Sequence, residues 1–190
     1  SEHRKPLILQ GARQVGKTYS ILEFGRTCYE NVAYFNFETN PKLNETFAEN
    51  ISPDYLIPIL SYIAGQTIIR EKTLIVFAEV QLCERALTSL KYFCEDAPEY
   101  HIIVAGSLLG VAVNRTRFSF PVGKVDMKTL YPMDMEEFML AMGEEQLVEL
   151  IKKCFQTDTP MPAALHDAAM QLYRQYLVVG GMPECVMQFI

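Results

Sequence analysis

The stretch GARQVGKT, from Gly11 to Thr18, directly follows the short apolar run Leu7-Ile8-Leu9 and Gln10. It fits the spacing G-x-x-x-x-G-K-S/T, in which each fixed position has a physical role. Gly11 and Gly16 have no Cβ, so the backbone between them can fold into a nest of N–H groups that point at one anion. Because a strand pattern precedes the stretch and a helix pattern follows it, we predict a phosphate-binding P-loop.

The residues of this loop would share the binding of a nucleotide. Lys17 adds a mobile positive charge for the outer phosphates, and the Thr18 hydroxyl is a candidate ligand for a Mg²⁺ ion that bridges phosphate oxygens. The helix that opens there would turn its unpaired N–H groups and its positive dipole end toward the same anion. The predicted nucleotide-binding residues are Gly11, Ala12, Arg13, Gln14, Val15, Gly16, Lys17, Thr18 and Tyr19.

Size and charge restrict the kind of protein that carries this loop. The chain has 190 residues, of which 49% are hydrophobic, so it is long enough for one globular domain and a fragment of a second. The net charge is −6 and the isoelectric point about 5.1, which argues against a surface that grips a nucleic-acid backbone as a whole. We therefore do not expect this fragment to bind nucleic acid, although the net charge is compatible with a local basic patch.

The cysteine pattern and the lengths of the apolar runs indicate the cellular compartment in which the protein is expected. The five cysteines form no C-x-x-C pair and the three histidines are scattered, which is typical of reduced thiols in a cytoplasmic protein without a zinc site. No charged and then apolar leader opens the chain, and the longest apolar run, 101–113, is shorter than the roughly 20 residues of a membrane-spanning helix. We expect a soluble cytoplasmic protein with no membrane partner.

Strand patterns alternate with helix patterns over the first two thirds of the chain. This alternation predicts the α/β class, with a mostly parallel five-stranded sheet flanked by helices, as in a P-loop NTPase. The predicted strands are 7–10, 31–37, 73–77, 101–105 and 118–125, and the first helix is expected to turn Ile21, Leu22 and Phe24 inward.

From Pro132 onward the pattern predicts helices only, over 135–142, 144–155 and 163–177. We therefore divide the chain into a P-loop nucleotide-binding domain, 1–131, and a helical lid region, 132–190. The sequence ends inside an apolar run at Phe189-Ile190, so we expect the lid to be partial and the chain to be a fragment.

A carboxylate that activates water belongs at the carboxyl end of a buried strand near the P-loop strand. The candidate is Leu74-Ile75-Val76-Phe77, after which Ala78 stands where Asp is usual and Glu79 where a catalytic base is expected. A metal-side carboxylate typically acts through bound water, and its loss costs about 10- to 100-fold in metal affinity or activity. The alternative is that Glu79 is a surface residue after a strand.

Three residues after the fourth strand are further candidates. Ser107 would orient the attacking water or touch the γ-phosphate, unless it only bonds its own backbone in a Gly-Ser turn. Arg115 or Arg117 would act as an arginine finger on a protein partner or a second subunit, because guanidinium groups stabilise charge on a transferring phosphoryl group. The alternative for both arginines is a solvated surface position.

At this point the residues resemble a known family, the bacterial and archaeal ATPases of the AAA superfamily. The resemblance rests first on GARQVGKT, on NFE after the second strand, and on F-A-E-V-Q where the family pattern is F-D-E-I/V-Q. It extends to AGSLLG, FPVGKVDMKTLYPMDMEEFM and YLVVGGMPE, and so covers nearly the whole chain.

The resemblance implies an ATP-binding core with an additional strand between the P-loop strand and the carboxylate strand, followed by a helical lid. It implies that Lys17 and Thr18 contact phosphate and Mg²⁺, that Glu79 is the catalytic carboxylate, and that Ser107 is the first sensor. Lys124 stands where the family more often has Arg, which weakens any bidentate role. Family members generally continue into a C-terminal domain of poorly defined function.

Three hypotheses for the function follow. The first is an ATPase whose hydrolysis of Mg²⁺-ATP is coupled to a conformational change, with turnover impaired by Ala78. The second is a nucleotide-binding switch or scaffold that does not hydrolyse. The third is a small-molecule kinase, which fits less well because the segment after Pro132 has one arginine, Arg174, in place of an arginine-rich lid.

Overall fold

The computed structural model describes residues 4–106, 121 and 123–190. The chain forms two compact units, Ser1–Leu130 and Tyr131–Ile190. The first unit contains the sheet and its flanking helices, and the second is built from helices. The P-loop and the predicted catalytic carboxylate both lie in the first unit.

The first unit contains five strands and four described α-helices. The strands are β1 (Leu7–Gly11), β2 (Asn31–Asn36), β3 (Thr73–Ala78), β4 (His101–Gly106) and β5 (Asp126–Leu130). The helices are α1 (Lys17–Cys28), α2 (Lys42–Glu49), α3 (Pro53–Ala64) and α4 (Glu84–Asp96), and a short 3-10 turn, Val80–Leu82, follows β3. The second unit contains α5 (Met135–Ala141), α6 (Glu145–Thr157), α7 (Ala163–Val179) and α8 (Pro183–Phe189).

The five strands form one parallel sheet in the order β2-β3-β4-β1-β5. This confirms the predicted α/β fold, including the additional strand, β4, between the P-loop strand and the carboxylate strand. Leu9 of β1 lies in register with Ala105 of β4, and Ala105 lies in register with Ala78 of β3. The carboxyl ends of β1, β3 and β4 therefore meet at one edge of the sheet, where open α/β sheets bind ligands.

The predicted position of the fifth strand is wrong. The prediction was 118–125, whereas β5 is Asp126–Leu130; residues 118–120 and 122 lie outside the described residues. Four of the five residues of β5 are exposed, because β5 is an edge strand that pairs with β1 alone. Its sequence, DMKTL, lacks the apolar pattern of a buried strand, as is usual for edge strands, which tolerate charged side chains.

Two apolar layers cover the two faces of the sheet. On one face, the ring of Phe77 packs edge to face with the rings of Phe37 and Phe47, which are tilted against each other, and the centroids are 5.5 to 5.8 Å apart. On the other face, Ile21 of α1 packs with Leu74, Val76, Ile103 and Ala105. Because side chains alternate along a strand, Ala78 continues the row of Leu74 and Val76 and lies on the face covered by α1.

Helix α1 packs closely against the sheet through a glycine. Of the three residues predicted to face inward, Ile21 is buried and Leu22 is half-buried, but Phe24 is 40% exposed and Gly25 is buried instead. A Cβ added at Gly25 would lie 2.5 Å from Cγ2 of Val32 and 3.1 Å from Cδ2 of Leu74. The hydrophobic pattern missed this contact because glycine contributes no apolar side chain to it.

The helices of the second unit pack around their own small core. The three helices predicted after Pro132 are present, and α8, which the sequence did not predict, begins with Pro183. Asp134 and Glu137 form a capping box at the start of α5. The core consists of Met139, Leu147, Val148 and Leu172. None of the described helices is both long and apolar enough to cross a membrane.

The close packing of α1 makes a prediction about stability. Glycine to alanine inside a helix ordinarily stabilises by about 0.5–1 kcal/mol, but overpacking a core costs about 1–3 kcal/mol. We expect Gly25→Ala to lower the free energy of unfolding by roughly 1–2 kcal/mol in urea titrations, since Val32 is too stiff to yield. Thr27→Ala, on the exposed side of the same helix, is the control and should change it by less than about 0.5 kcal/mol. A stabilised Gly25→Ala protein would contradict the packing.

Candidate nucleotide-binding site

The loop between β1 and α1 depends on two glycines for different reasons. Gly11 has a φ of 152°, and a Cβ there would lie 2.3 Å from the carbonyl oxygen of Leu130, so the neighbouring strand leaves no room for a side chain. Gly16, the N-cap of α1, has a φ of 96°. Only glycine adopts that conformation without steric cost, and it brings the first free N–H groups of α1 to the loop.

The middle of the loop has a left-handed residue that the sequence did not point to. Gln14 has a φ of 62°, which costs a non-glycine residue roughly 1–2 kcal/mol. Val15, which follows it, is only 4% exposed and holds the loop against the core. Left-handed Gln14 and Gly16 thus flank Val15, and such an alternation of backbone conformations turns successive N–H groups toward one anion-binding concavity.

The Lys17 side chain folds back under the loop. Its Nζ donates hydrogen bonds to the carbonyl oxygens of Gly11, at 2.9 Å, and Ala12, at 2.6 Å, and the residue is 8% exposed. Burial lowers the pKa of the Lys17 ammonium, and the nearby Glu79 carboxylate opposes that effect. The ammonium is therefore held in place by carbonyl dipoles and lies close to a carboxylate.

A cavity of about 310 Å³ opens beside this ammonium. Its lining carries two cations, Arg13 and Lys17, and one carboxylate, Glu79, so it is locally positive in an acidic protein. The lining consists of Arg13, Gln14, Gly16, Lys17, Thr18, Tyr19 and Glu79.

The structure thus brings together most of the residues singled out from the sequence. Of the remaining loop residues, Gly11 and Ala12 contribute the carbonyls that hold Lys17, and Val15 belongs to the core. Ser107, Arg115 and Arg117 lie outside the described residues, so their roles stay predictions.

Ala78 and Glu79 end β3 at the same edge of the sheet. Ala78 is 3% exposed and lies in register between Asn36 of β2 and Ala105 of β4. At this position the sequence pattern predicts a metal-side carboxylate, and the chain has a methyl group. Glu79 has the left-handed angles φ 53° and ψ 37°, which cost roughly 1–3 kcal/mol, and this turn carries its carboxylate into the cavity lining.

Two polar residues near Glu79 were missed from the sequence. Gln81 donates from Nε2 to Oε2 of Glu79 at 2.5 Å. Burial raises the pKa of the Tyr34 phenol, the Glu79 carboxylate raises it further, and side-chain hydrogen bonds with Asn36 and Thr18 lower it. Two signals in the sequence could have pointed to them. Side-chain alternation along β2 places Tyr34 on the α1 face of the sheet, and Gln81 is the last residue of the F-A-E-V-Q string.

Lys124, which the family resemblance brought forward, lies away from this site. It lies two residues before β5 and so at the amino end of the parallel sheet, whereas the cavity lies at the carboxyl end. Its Nζ pairs with Oε1 of Glu95 at 2.9 Å. Lys124 is therefore not part of the cavity lining.

Comparison with known proteins identifies the family. A family model described as an AAA domain matches residues 3–139. The chain belongs to this AAA domain family. The membership confirms the resemblance of the sequence to P-loop ATPases of the AAA superfamily. No curated protein is significantly similar to the chain.

One solved structure supports the fold of this AAA domain. The Walker-type ATPase of Pyrococcus abyssi is 16% identical, with a TM-score of 0.54 over 98% of this chain and 62% of that chain. This chain therefore spans less than two thirds of that protein. The ORC2 protein of Aeropyrum pernix, in ADPNP–ADP complexes, is 14% identical, with a TM-score of 0.45 over 77% of this chain and 46% of that chain. At 16% identity the likeness to the Walker-type ATPase concerns the fold alone.

The geometry of Lys17 predicts a large effect on nucleotide affinity. A hydrogen bond to a charged group contributes about 1.5–3 kcal/mol, so Lys17→Ala should raise the Kd for Mg²⁺-ATP roughly 10- to 100-fold in isothermal titration calorimetry. Lys72→Ala removes a surface lysine that pairs with Glu30 at 2.7 Å and should leave the Kd unchanged. Equal affinities of Lys17→Ala and the unmutated chain would exclude the cavity as the phosphate site.

Proposed function

We propose that this AAA domain binds Mg²⁺-ATP in the P-loop cavity and hydrolyses it slowly, with the nucleotide state coupled to a conformational change. The observation that supports this most strongly is the convergence of Lys17, Thr18 and Glu79 on one cavity at the carboxyl end of the sheet. A purely structural loop would have no use for a buried ammonium beside a nest of N–H groups. The choice of ATP over other nucleotides rests on the family.

The donors at the cavity suit Mg²⁺. This ion prefers oxygen ligands, keeps several waters, and is usually bound through one or two protein groups plus the phosphates of a substrate. The Thr18 hydroxyl would be the direct protein ligand. Glu79 lies in the same lining and would act through water, while Ala78 adds no oxygen. When bound, Mg²⁺ neutralises charge that develops on the phosphate oxygens.

In hydrolysis, each remaining group would have a separate role. Glu79 would accept a proton from the water that attacks the γ-phosphorus, and the bond from that phosphorus to the bridging oxygen of ADP would break. Lys17 would exchange its two carbonyl partners for phosphate oxygens and stabilise their charge. The loop N–H groups would bind the phosphates of ATP and of the ADP that leaves.

Ala78 supports a second candidate, a nucleotide-binding switch that does not turn over. Its methyl group lies where an outer carboxylate would hold water on the metal, and the β2 neighbour in register, Asn36, has its side-chain oxygen engaged. That oxygen accepts from the backbone N–H groups of Glu38, at 2.8 Å, and Thr39, at 3.4 Å. Binding would survive this change, because Lys17 and the nest are intact.

The two candidates differ in how they respond to restoring the carboxylate. We expect Ala78→Asp to raise kcat for phosphate release roughly 10- to 100-fold, because outer ligands of a metal contribute about that factor. Ala78→Asn, which has the same shape without the charge, should give a much smaller gain. If kcat is unchanged in Ala78→Asp, position 78 is not the metal-side position.

Removing the base separates hydrolysis from binding. Glu79→Gln should lower kcat by roughly 100-fold or more, since a general base contributes about 10²–10⁴. It should leave ATP binding intact, which we would measure as the rise in melting temperature with saturating ATP. Phosphate release at background in the unmutated chain and in Ala78→Asp, with that rise retained, would favour the switch over the ATPase. Transfer of phosphate to a small molecule would instead indicate a kinase.

A further inference from the structure

The chain turns sharply directly after the carboxylate strand. The 3-10 turn Val80–Leu82 follows Glu79, whose carbonyl oxygen accepts from the N–H of Leu82 at 3.1 Å. The N–H of Cys83 donates to the carbonyl oxygen of Val80 at 2.9 Å. Val80 is fully buried and Cys83 is 6% exposed, so both ends of the turn are fixed in the core. Gln81, which directly follows Val80 in this turn, therefore has little freedom of position.

This turn brings the Gln81 carboxamide back onto Glu79. Nε2 of Gln81 donates to Oε2 of Glu79 at 2.5 Å, and hydrogen bonds to an ionised acceptor are shorter and stronger than neutral ones. Oε1 of Gln81 is buried and accepts from no group in the part of the chain that the structure describes. The opposite orientation of the amide would place its oxygen against a carboxylate oxygen, so the contact with Glu79 fixes the orientation.

We propose that Gln81 is a positioning residue for Glu79, an inference that rests on the proposed ATPase function. By holding Oε2, the amide leaves Oε1 to receive the proton of the attacking water at the cavity. Lys17 already places one cation near Glu79. The neutral amide of Gln81 orients the carboxylate without adding a second one. The left-handed backbone at Glu79 sets the direction of the side chain, and Gln81 sets the rotation of its carboxyl group.

The test uses the unmutated chain as the parent, or Ala78→Asp if the unmutated chain shows no turnover. Gln81→Leu removes the donor at similar size, and Gln81→Glu places a carboxylate against Glu79. Both should lower kcat roughly 10- to 100-fold while the Kd for Mg²⁺-ATP changes less than about threefold, as expected for a residue that orients a catalytic group. A rise in Kd with kcat unchanged would overturn the proposal.

A matched control separates the loss of any glutamine hydrogen bond from the loss of this one. Gln66 donates from Nε2 to the carbonyl oxygen of Val32 at 2.7 Å and does not line the cavity. Gln66→Leu should leave kcat unchanged, whatever it does to the melting temperature. A loss of kcat in Gln66→Leu equal to that in Gln81→Leu would mean that kcat reports stability, which would also overturn the proposal.

A double mutant asks whether Gln81 acts through Glu79. In single-turnover assays, Glu79→Gln with Gln81→Leu should be no slower than Glu79→Gln alone, because the group that Gln81 orients is already lost. Multiplied losses would show that Gln81 acts independently of Glu79.

A nuclear magnetic resonance measurement gives a readout that does not require turnover. The side-chain N–H signals of Gln81 should exchange slowly with water in the parent and rapidly in Glu79→Ala. Identical exchange in the two proteins would overturn the proposal. Failure of the proposed function would show separately, as absence of ATP binding by the parent.

Discussion

The site depends on a buried ammonium that the loop holds with its own carbonyl groups. Lys17 donates to Gly11 and Ala12, and this arrangement requires α1 to begin directly under the end of β1. Two close contacts make that possible: Gly11 against the Leu130 carbonyl, and Gly25 against Val32. At both positions glycine has no side chain, and this allows the backbone to approach its neighbour closely. The same close packing of α1 and the loop against the sheet therefore also fixes the position of the Lys17 ammonium.

The site is unequal in its two halves. The half that would bind phosphate has its ammonium and the left-handed backbone of Gln14 and Gly16 in place. The half that would hold the metal has the Thr18 hydroxyl and the Glu79 carboxylate in the lining, but a methyl group at Ala78. In the proposed function, binding would draw on the first half and turnover on the second, so Ala78 would impair turnover more than binding.

The sequence predicted the parts of the fold that repeat a strong pattern. The P-loop spacing, the apolar runs of β1, β3 and β4, and Glu79 after β3 all have a local signal. The edge strand β5 does not, because its side chains are exposed and only its backbone pairs with β1. Gly25 was missed because its role comes from packing distance. Gln14 was predicted as a binding residue, but its left-handed backbone was not, because the spacing of the motif does not fix that angle. Gln81 was missed because a turn, rather than spacing, brings it to Glu79.

The central claim is that the loop N–H groups and the Lys17 ammonium bind the polyphosphate of a nucleotide. The most direct measurement is a titration of the ¹⁵N-labelled chain followed through the backbone amide signals of Gly16, Lys17 and Thr18. Mg²⁺-ATP should shift all three signals with one saturable Kd, and adenosine, which lacks phosphates, should leave them in place. If ATP shifts signals elsewhere but not these three, or if adenosine shifts them equally, the claim is wrong.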